Sequence, residues 1–213
     1  ILPEAKDYKR IGEGDTGLNT GGMGAVSPVG FADKEFMKKV EDSVIKRTVN
    51  GIRKEKLDYK GFIFAGLMNV NGEPFLIEYN VRMGDPETQV VIPRIKNDLL
   101  NIFIKCLDEK INEVDLDIEN NFTTTVILAA DGYPESYKKG DDIRNLEEFS
   151  NSKIFHAGTK KENNRILSNG GRVIACTGYG ESLEDALKNS YKLADNISWD
   201  NKYFRKDIGE DLK

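Results

Sequence analysis

The sequence predicts an α+β protein in which runs of antiparallel strands are followed by helices. Two apolar segments, GFIFAGLMNV and EPFLIEYNVR, flank Asn71-Gly72, a dipeptide typical of a tight hairpin turn because both residues tolerate positive φ. Farther along, several strands joined by short turns lead into one amphipathic helix. These two observations favour an α+β fold over a doubly wound parallel sheet.

The composition is that of a soluble globular protein. The chain has 213 residues, of which 38% are hydrophobic and 31% charged, and this balance excludes a disordered polymer. The net charge of −5 argues against non-specific nucleic-acid binding, with a local basic groove as the alternative, and we expect no nucleic-acid partner. No apolar run reaches the roughly 18 residues that span a bilayer. Cys106 and Cys176 lack CxxC spacing, so we expect two reduced, buried thiols, a cytoplasmic location and no membrane partner.

The first half of the chain should contain a loop region, two helices and the hairpin. Residues 1–30 are rich in Gly, Asp and Asn and are predicted to form loops with one short strand. Apolar residues recur at helical spacing from Asp33, a plausible N-cap, to about Glu55. After the hairpin, the segment NDLLNIFIKCLDEK places apolar residues on one helical face: Leu99, Leu100, Phe103, Ile104 and Leu107.

A second α+β unit is predicted after a polar linker. Its strands are TTTVILAA, a stretch near KIFHAGT, and RVIACTGYG. A helix follows, opened by Ser182 with Asp185 placed as in a capping box.

The strand FLIEYNVR carries an unexpected polar pattern. In an unbroken strand Leu76, Glu78, Asn80 and Arg82 share one face. The other face, formed by Phe75, Ile77, Tyr79 and Val81, should pack on a core. Opposite the polar face, a two-residue turn would pair Ala65 with Glu78 and Ile63 with Asn80.

Two interpretations of the polar face remain open. Carboxylate and amide oxygens at Glu78 and Asn80 are ligands that Mg²⁺ prefers, and Arg82 could grip an oxyanion. An ion pair between Glu78 and Arg82 on a solvated sheet face explains the same residues without a ligand.

A glycine-rich segment, NTGGMG at residues 19–24, is the second candidate site. Glycines permit close backbone approach, so successive N–H groups could surround an anion. The segment fits neither the Rossmann nor the P-loop pattern. A mobile turn without a ligand is the alternative.

Several segments together resemble the phosphoribosylamine–glycine ligase family, within the ATP-grasp superfamily. They are NTGGMGAVSP, FAGLM, LIEYNVRMGDPETQVVIPR, KNDLL, FHAGT, NGGRV and YFRKDIG, which extend over essentially the whole chain. The resemblance implies the C-terminal half of an ATP-grasp core, an antiparallel sheet with helices, at 1–113. A linker at 114–121 and a small α+β C-terminal domain at 122–213 would follow.

The resemblance also implies a reaction and its site residues. The family joins glycine to 5-phosphoribosylamine in purine biosynthesis, using ATP and Mg²⁺ or Mn²⁺, through a glycyl phosphate. Glu78 and Asn80 match its metal ligands, which also contact the nucleotide, and Arg82 would be catalytic. The expected substrate contacts are Lys9, Asn19, Thr20, Gly21 and Asp85.

The resemblance further implies an N-terminal portion of the same enzyme, with the ATP lid, as a partner of this chain. The alternatives are a folded but non-catalytic fragment, or a related carboxylate–amine ligase that uses another acid. Tyr8 departs from the family's usual histidine, and no second acidic metal ligand lies in GFIFAGLMNV. We expect His156 to be structural, and Arg172 either to reach the substrate phosphate or to lie on the surface.

Overall fold

A computed structural model describes all residues, 1–213, and divides them into two compact units. Unit 1 comprises residues 1–28, 85–95 and 118–213, and unit 2 comprises residues 29–84 and 96–117. Each unit is discontinuous in sequence, and the predicted division at 114–121 stays a prediction. None of the helices has the length and apolar character required to cross a bilayer.

Twelve strands and five α-helices are present. The strands are β1 Lys6–Asp7, β2 Arg10–Gly12, β3 Thr16–Asn19, β4 Gly24–Ser27, β5 Phe64–Val70, β6 Glu73–Asn80, β7 Phe122–Ala129, β8 Asp142–Ile143, β9 Ser152–His156, β10 Thr159–Glu162, β11 Arg165–Ser168 and β12 Arg172–Gly180. The helices are α1 Lys34–Val40, α2 Lys46–Lys54, α3 Thr88–Val91, α4 Leu99–Leu107 and α5 Leu183–Asn196. This content confirms the predicted α+β class.

Unit 1 is built on a five-stranded antiparallel sheet with the strand order β1-β4-β7-β12-β9. Its central strands β7 and β12 are buried over most of their length, and α5 packs on them. At Gly178 a Cβ would lie 2.3 Å from the carbonyl oxygen of Ala186, so glycine allows the helix to approach the strand closely. Ser182 caps α5 by accepting a hydrogen bond from the Asp185 amide, as predicted.

The structure has more strands in unit 1 than the sequence indicated. Residues 1–30 contain β1 to β4 rather than one strand, and β10, β11 and β8 form an additional sheet. The strand β10 reads TKKE, which lacks the apolar alternation that identifies a strand. Asn163 and Asn164, both with positive φ, form the turn between β10 and β11.

Two helices of unit 2 begin after an aspartate cap, of which the sequence analysis predicted the first. The Asp33 carboxylate accepts a hydrogen bond from the Phe36 amide at 2.8 Å, and Asp98 caps α4 through the Asn101 amide. A π-helical turn, Glu41–Ile45, joins α1 to α2. The predicted helix from Asp33 to about Glu55 is therefore confirmed.

The hairpin of β5 and β6 forms at the predicted turn, but its register differs by one residue. Asn71 and Gly72 have φ values of 52° and 80°, as the tight turn requires. Leu67 pairs with Leu76, whereas Gly66 pairs with Glu78, so Ile77 is an extra, bulged residue. The expected pairing of Ala65 with Glu78 is wrong.

The bulge also changes which side chains share a face. Phe64, not Ile63, is opposite Asn80. Because directly paired residues share a face, Glu78 and Asn80 lie on the face of Phe75. Leu76 lies on the other face, contrary to the expectation for an unbroken strand.

The expected burial of the apolar residues in and just after β6 is also wrong. Phe75, Ile77 and Val81 are 57%, 61% and 73% exposed, and the apolar stripe of α4 is exposed at Leu100 and Leu107. Unit 2 contains a sheet of only two strands, which supplies too little surface to cover these side chains. Cys176 is buried as expected, whereas Cys106 is only half-buried.

Candidate functional site

The first candidate site is the end of β6 in unit 2. The Asn80 side-chain amide donates to Glu78 Oε1 at 3.3 Å, so the polar ends of these two side chains meet. Gly66 lies opposite, where a Cβ would be 3.0 Å from Glu78 Cγ. The absence of a side chain at Gly66 thus leaves space for the Glu78 side chain.

The geometry at Glu78 bears on the two interpretations of the polar face. Glu78 contacts Asn80, while Arg82 Nη1 donates to the Met83 carbonyl at 2.9 Å. The exposed Glu78 carboxylate and the half-buried Asn80 amide therefore form a pair of oxygen-bearing side chains. Arg82 therefore does not pair with Glu78, and the role of Glu78 and Asn80 as ligands stays a prediction.

The oxygen pair suits a hard divalent cation. A rotation of the Asn80 amide would present its oxygen beside the Glu78 carboxylate, which matches the ligand preference of Mg²⁺. No group of three or more His, Cys, Asp or Glu side chains is arranged to hold a metal. A cation at Glu78 would therefore need further ligands, such as phosphate oxygens and water.

The second candidate site is the glycine-rich segment in unit 1. Thr20 donates twice to the Lys9 carbonyl, from its amide at 2.7 Å and from Oγ1 at 2.9 Å. Asn19 lies at the end of β3 and pairs with Arg10 of β2. Lys9 Nζ lies 2.5 Å from Asp7 Oδ2. The segment is thus a turn held by hydrogen bonds to Lys9.

The backbone amides of this turn are already occupied. The Gly21 amide donates to the Tyr133 hydroxyl at 2.9 Å, and the Gly22 amide donates to Thr20 Oγ1 at 2.9 Å. The Met23 amide donates to the Tyr8 carbonyl. The expectation that successive N–H groups surround an anion is therefore wrong. Contacts of Asn19, Thr20 and Gly21 with a substrate stay a prediction.

Arg172 ties the turn to the GDPET segment. Its Nη1 donates to the carbonyls of Gly21 and Asp85 at 2.8 and 2.7 Å, and its Nη2 lies 3.1 Å from Asp85 Oδ2. Gln89 donates to the other carboxylate oxygen, Asp85 Oδ1, at 2.9 Å. Arg172 is therefore held within unit 1 rather than loose on the surface, and a contact with the substrate phosphate stays a prediction.

Two buried carboxylates lie behind the turn. Burial raises the pKa of Asp7, and hydrogen bonding to Lys9 partly opposes the shift. Burial, together with the nearby Asp7 charge, raises the pKa of Glu87 to about 6. Glu87 Oε2 is buried without a hydrogen-bond partner, which destabilises its ionised form relative to a carboxylate in water. Gly22, with a φ of 119°, packs against Asp7 and Pro86.

The predicted site residues divide between the two units. Glu78, Asn80 and Arg82 belong to unit 2, whereas Lys9, Asn19, Thr20, Gly21 and Asp85 belong to unit 1. Sequence analysis did not identify Asp7 or Tyr133, or the bridging role of Arg172. The glycines of NGGRV, which precede Arg172, were the one available signal that the backbone is approached closely there.

Tyr8 and His156 lie outside both candidate sites. The Tyr8 side chain is buried, and its hydroxyl donates to Asp211 Oδ1 at 2.7 Å. His156 Nδ1 lies 3.1 Å from Thr159 Oγ1, which fits the expected structural role. Tyr8 therefore contributes packing and hydrogen bonds where a histidine was expected.

Comparison with protein families identifies both parts of the chain. Residues 1–88 match the family model described as phosphoribosylglycinamide synthetase, ATP-grasp (A) domain. Residues 123–211 match the model for the C domain of the same synthetase. The two matches follow the order of the chain and together include the glycine-rich turn, β6 and Arg172.

Curated relatives agree with these matches over nearly the whole chain. The bifunctional purine biosynthetic protein PUR2,5 of Pichia angusta is 47% identical over 97% of this chain and 27% of its own length. The phosphoribosylamine–glycine ligase of Fusobacterium nucleatum is 45% identical over 98% of this chain and 50% of its own. This chain thus spans about half the length of the single-function relatives it matches.

Solved structures show the same fold. A crystal structure of phosphoribosylamine–glycine ligase from Thermotoga maritima has a TM-score of 0.84 and 36% identity, covering 97% of this chain and 51% of that one. The biotin carboxylase domain of Hydrogenobacter thermophilus 2-oxoglutarate carboxylase matches with a TM-score of 0.65 at 13% identity, over 90% of this chain and 44% of that one. The predicted ATP-grasp fold is confirmed.

Proposed function

Because this chain belongs to the phosphoribosylglycinamide synthetase family, we propose that it forms about half of an ATP-dependent phosphoribosylamine–glycine ligase. The reaction joins glycine to 5-phosphoribosylamine and yields glycinamide ribonucleotide, ADP and phosphate. The observation that carries the proposal is the meeting of the Glu78 and Asn80 side chains at 3.3 Å. Family membership and the relatives' names supply the substrates.

The chemistry requires charge neutralisation rather than a covalent protein nucleophile. A carboxylate is a poor electrophile, so the glycine oxygen attacks the γ-phosphate of ATP to give glycyl phosphate and ADP. The ribosylamine nitrogen then attacks the acyl carbon and releases phosphate and a proton. Both steps depend on in-line positioning and on cationic groups near the developing charge.

The residues of β6 and its end provide for nucleotide and metal binding. Glu78 and Asn80 hold Mg²⁺ or Mn²⁺, which when bound neutralises charge on the ATP phosphates. Arg82 is exposed beyond the end of β6, and its guanidinium steadies the transferring phosphoryl group or the acyl phosphate. Arg82 can serve in this way because its hydrogen bond to Met83 uses only Nη1.

The turn at residues 19–22 and its neighbours bind the other two substrates, glycine and 5-phosphoribosylamine. Lys9, Asn19, Thr20, Gly21 and Asp85 form the proposed contact set. The hydrogen bonds from Thr20 to Lys9 and from Arg172 to Gly21 hold this set in place, so little ordering is needed when substrate binds. Lys9 supplies positive charge for an anionic group.

The N-terminal portion of the same enzyme is the proposed partner of this chain. Supporting evidence is the exposed apolar surface of unit 2, at Phe75, Ile77 and Val81 in the hairpin region and Leu100 and Leu107 in α4. Apolar side chains in such number are normally covered by another part of a protein. The isolated 213 residues are then a folded fragment without turnover, located in the cytoplasm.

The test of the metal and nucleotide site uses two glutamates of the same strand. In the complete ligase, Glu78→Gln should weaken Mg²⁺-dependent ADP binding at least about tenfold in calorimetry, a loss of about 1.4 kcal/mol. Glu73→Gln is the matched control, because Glu73 pairs with Lys39 at the far end of β6. Equal affinities of the two variants would refute the assignment of Glu78.

The substrate assignment is tested by phosphate release. The complete ligase should release phosphate from ATP only when glycine and 5-phosphoribosylamine are present, and Arg82→Ala should lower kcat more than nucleotide affinity. Turnover with another acid in place of glycine would support a related carboxylate–amine ligase instead. Phosphate release by the isolated chain would contradict the partner proposal.

A further inference from the structure

The segment 203–211 in unit 1 makes a dense set of contacts with residues 6–15. The Tyr203 hydroxyl donates to the Ile11 carbonyl, Arg205 Nη1 to the Arg10 carbonyl and Asp15, and the Lys206 amide to Glu13. The Gly14 amide donates to Asp207, the Gly209 amide to the Tyr8 hydroxyl, and Lys6 and Tyr8 donate to Asp211. We call these residues, 203–211, the brace.

The brace is anchored to the rigid part of unit 1. Tyr203 and Ala129 of β7 exchange backbone hydrogen bonds at 2.8 and 2.9 Å. The Ile208 amide donates to the Tyr191 hydroxyl on α5 at 2.9 Å. β7 and α5 form the buried centre of unit 1. Because the brace is bonded to both, it can hold the residues that it contacts in a defined position relative to this centre.

Arg205 is the central residue of the brace. The residue is almost fully buried, with a relative exposure of 1%. It donates to both carboxylate oxygens of Asp207, at 2.8 and 2.7 Å, and to Asp15 Oδ1 at 2.8 Å. Its face also lies 5.3 Å from the centre of the Tyr8 ring. Two carboxylates and an aromatic ring therefore fix the guanidinium, and through it the loop between β2 and β3.

Tyr8 connects the brace to the glycine-rich turn. Its hydroxyl bonds to Asp211 and Gly209 of the brace, while its backbone carbonyl accepts from the Met23 amide at 2.8 Å. The next residue, Lys9, accepts the two hydrogen bonds from Thr20. The link between β1 and β2, formed by Tyr8 and Lys9, therefore contacts the brace through the Tyr8 hydroxyl and the turn through its backbone carbonyls.

We propose that the brace is a positioning element that fixes Lys9 and the turn at residues 19–22, with Arg205, Asp207 and Asp211 as positioning residues. None of these three side chains bonds to the turn itself, so they act through Tyr8, Lys9 and Arg10. If the brace positions Lys9 and the turn, its loss should lower the affinity for substrate, and this consequence rests on the proposed function. The conformational part, that the brace fixes Lys9 and the turn, does not depend on the proposed function.

Hydrogen exchange of this chain, followed by mass spectrometry, tests the conformational part. Asp207→Asn and Asp211→Asn each remove a charge-assisted contact and keep the side-chain shape. Amides of residues 8–24 should exchange about tenfold faster in each variant, while amides of β7 and β12 stay unchanged. Tyr8→Phe deletes only the hydroxyl that bonds to Asp211 and Gly209, and it should give the same exchange pattern. This variant provides the test if an aspartate variant fails to fold.

Glu210→Gln is the matched control for these variants. Glu210 lies within the brace, but its side chain pairs with Lys213 at 2.6 Å rather than with residues 6–15. Its exchange should equal that of the unchanged protein. Exchange that stays the same in the test variants, or that rises equally in β7 and β12, would overturn the proposal, since the second result indicates a general stability effect.

Kinetics of the complete ligase test the consequence for substrates. Asp211→Asn should raise KM for glycine or 5-phosphoribosylamine about fivefold to tenfold and leave KM for ATP unchanged, with a smaller change in kcat. A fall in kcat without a change in either KM would contradict positioning. If the complete protein shows no ligase activity at all, the proposed function fails, and the exchange experiment still decides the role of the brace.

Discussion

The Arg172 guanidinium contacts both the backbone carbonyl and the side-chain carboxylate of Asp85. Nη1 donates to the Asp85 carbonyl at 2.7 Å, and Nη2 lies 3.1 Å from carboxylate Oδ2. The same guanidinium donates to the Gly21 carbonyl at 2.8 Å. One side chain therefore joins the glycine-rich turn to the GDPET segment within unit 1.

Replacing this guanidinium should destabilise unit 1. Arg172→Met leaves the carbonyls of Gly21 and Asp85 without their donor, so we expect the free energy of unfolding to fall by about 2 kcal/mol. Urea denaturation measures the change. Arg144→Met is the control, because Arg144 is exposed and lies 3.9 Å from Asp200; a similar loss in both variants would contradict a special role for Arg172.

Gly22 should not tolerate any side chain. Its φ is 119°, and a Cβ there would lie 2.4 Å from Pro86 Cδ and 2.7 Å from Asp7 Oδ1. Gly22→Ala should therefore lower the melting temperature, with a loss of at least about 2 kcal/mol from strain and overpacking. Gly30→Ala, where a Cβ meets nothing within 4 Å, should leave the melting temperature nearly unchanged. A stable Gly22→Ala variant would show that the GDPET segment moves away easily.

Glu87 should make the stability of the protein depend on pH between the pKa of this carboxyl in the unfolded chain and its pKa in the folded protein. Its folded-state pKa is raised to about 6 from 4.5, so the folded protein binds more protons than the unfolded chain in this interval. Protonated Glu87 therefore contributes about 2 kcal/mol to the free energy of unfolding. This contribution is fully present below about pH 4.5 and is lost as the pH rises through about 6.

The corresponding substitution removes this pH dependence. Glu87→Gln cannot ionise, so it should be more stable than the unchanged protein at pH 7.5 by about 2 kcal/mol and should show a flatter stability curve across this interval. Urea titrations at several pH values measure both effects. Glu147→Gln, at an exposed position, serves as the control and should leave the curve as it is.

Gly66 should control the position of the Glu78 side chain. A Cβ at Gly66 would lie 3.0 Å from Glu78 Cγ, so Gly66→Ala pushes that flexible side chain aside at small cost in stability. In the complete ligase we expect Mg²⁺-dependent ADP binding to weaken several-fold, while thermal stability changes by less than about 1 kcal/mol. Gly51→Ala in α2 is the control and should stabilise its helix without affecting ADP binding.

The sequence predicted those features that depend on neighbouring residues. Asp33 and Ser182 start helices because each caps an amide three residues ahead, and Asn71-Gly72 forms the turn because its own backbone angles favour it. The bulge at Ile77 was not predictable, because pairing across a hairpin depends on both strands and on what packs against them.

In the candidate sites, too, the features that depend on nearby residues could be predicted from the sequence, and those that depend on distant residues could not. The oxygen donors at Glu78 and Asn80 follow from residue type and spacing, so their chemistry could be inferred from one strand. The bond from Arg172 to Gly21 joins residues 151 positions apart, and no local pattern encodes such a contact. The buried state of Glu87 likewise depends on the packing of several distant segments, which sequence periodicity does not describe.

The extra residue at Ile77 decides which side of the hairpin carries the Glu78 carboxylate. With all residues present, a regular ladder from the Asn71-Gly72 turn would pair Glu78 with Ala65 and place its side chain on the opposite side. The bulge absorbs Ile77 and brings Glu78 opposite Gly66 instead. A chain that lacked Ile77 would need no bulge to reach the same pairing, so the deletion should preserve the orientation of Glu78, whereas straightening the bulged strand should reverse it.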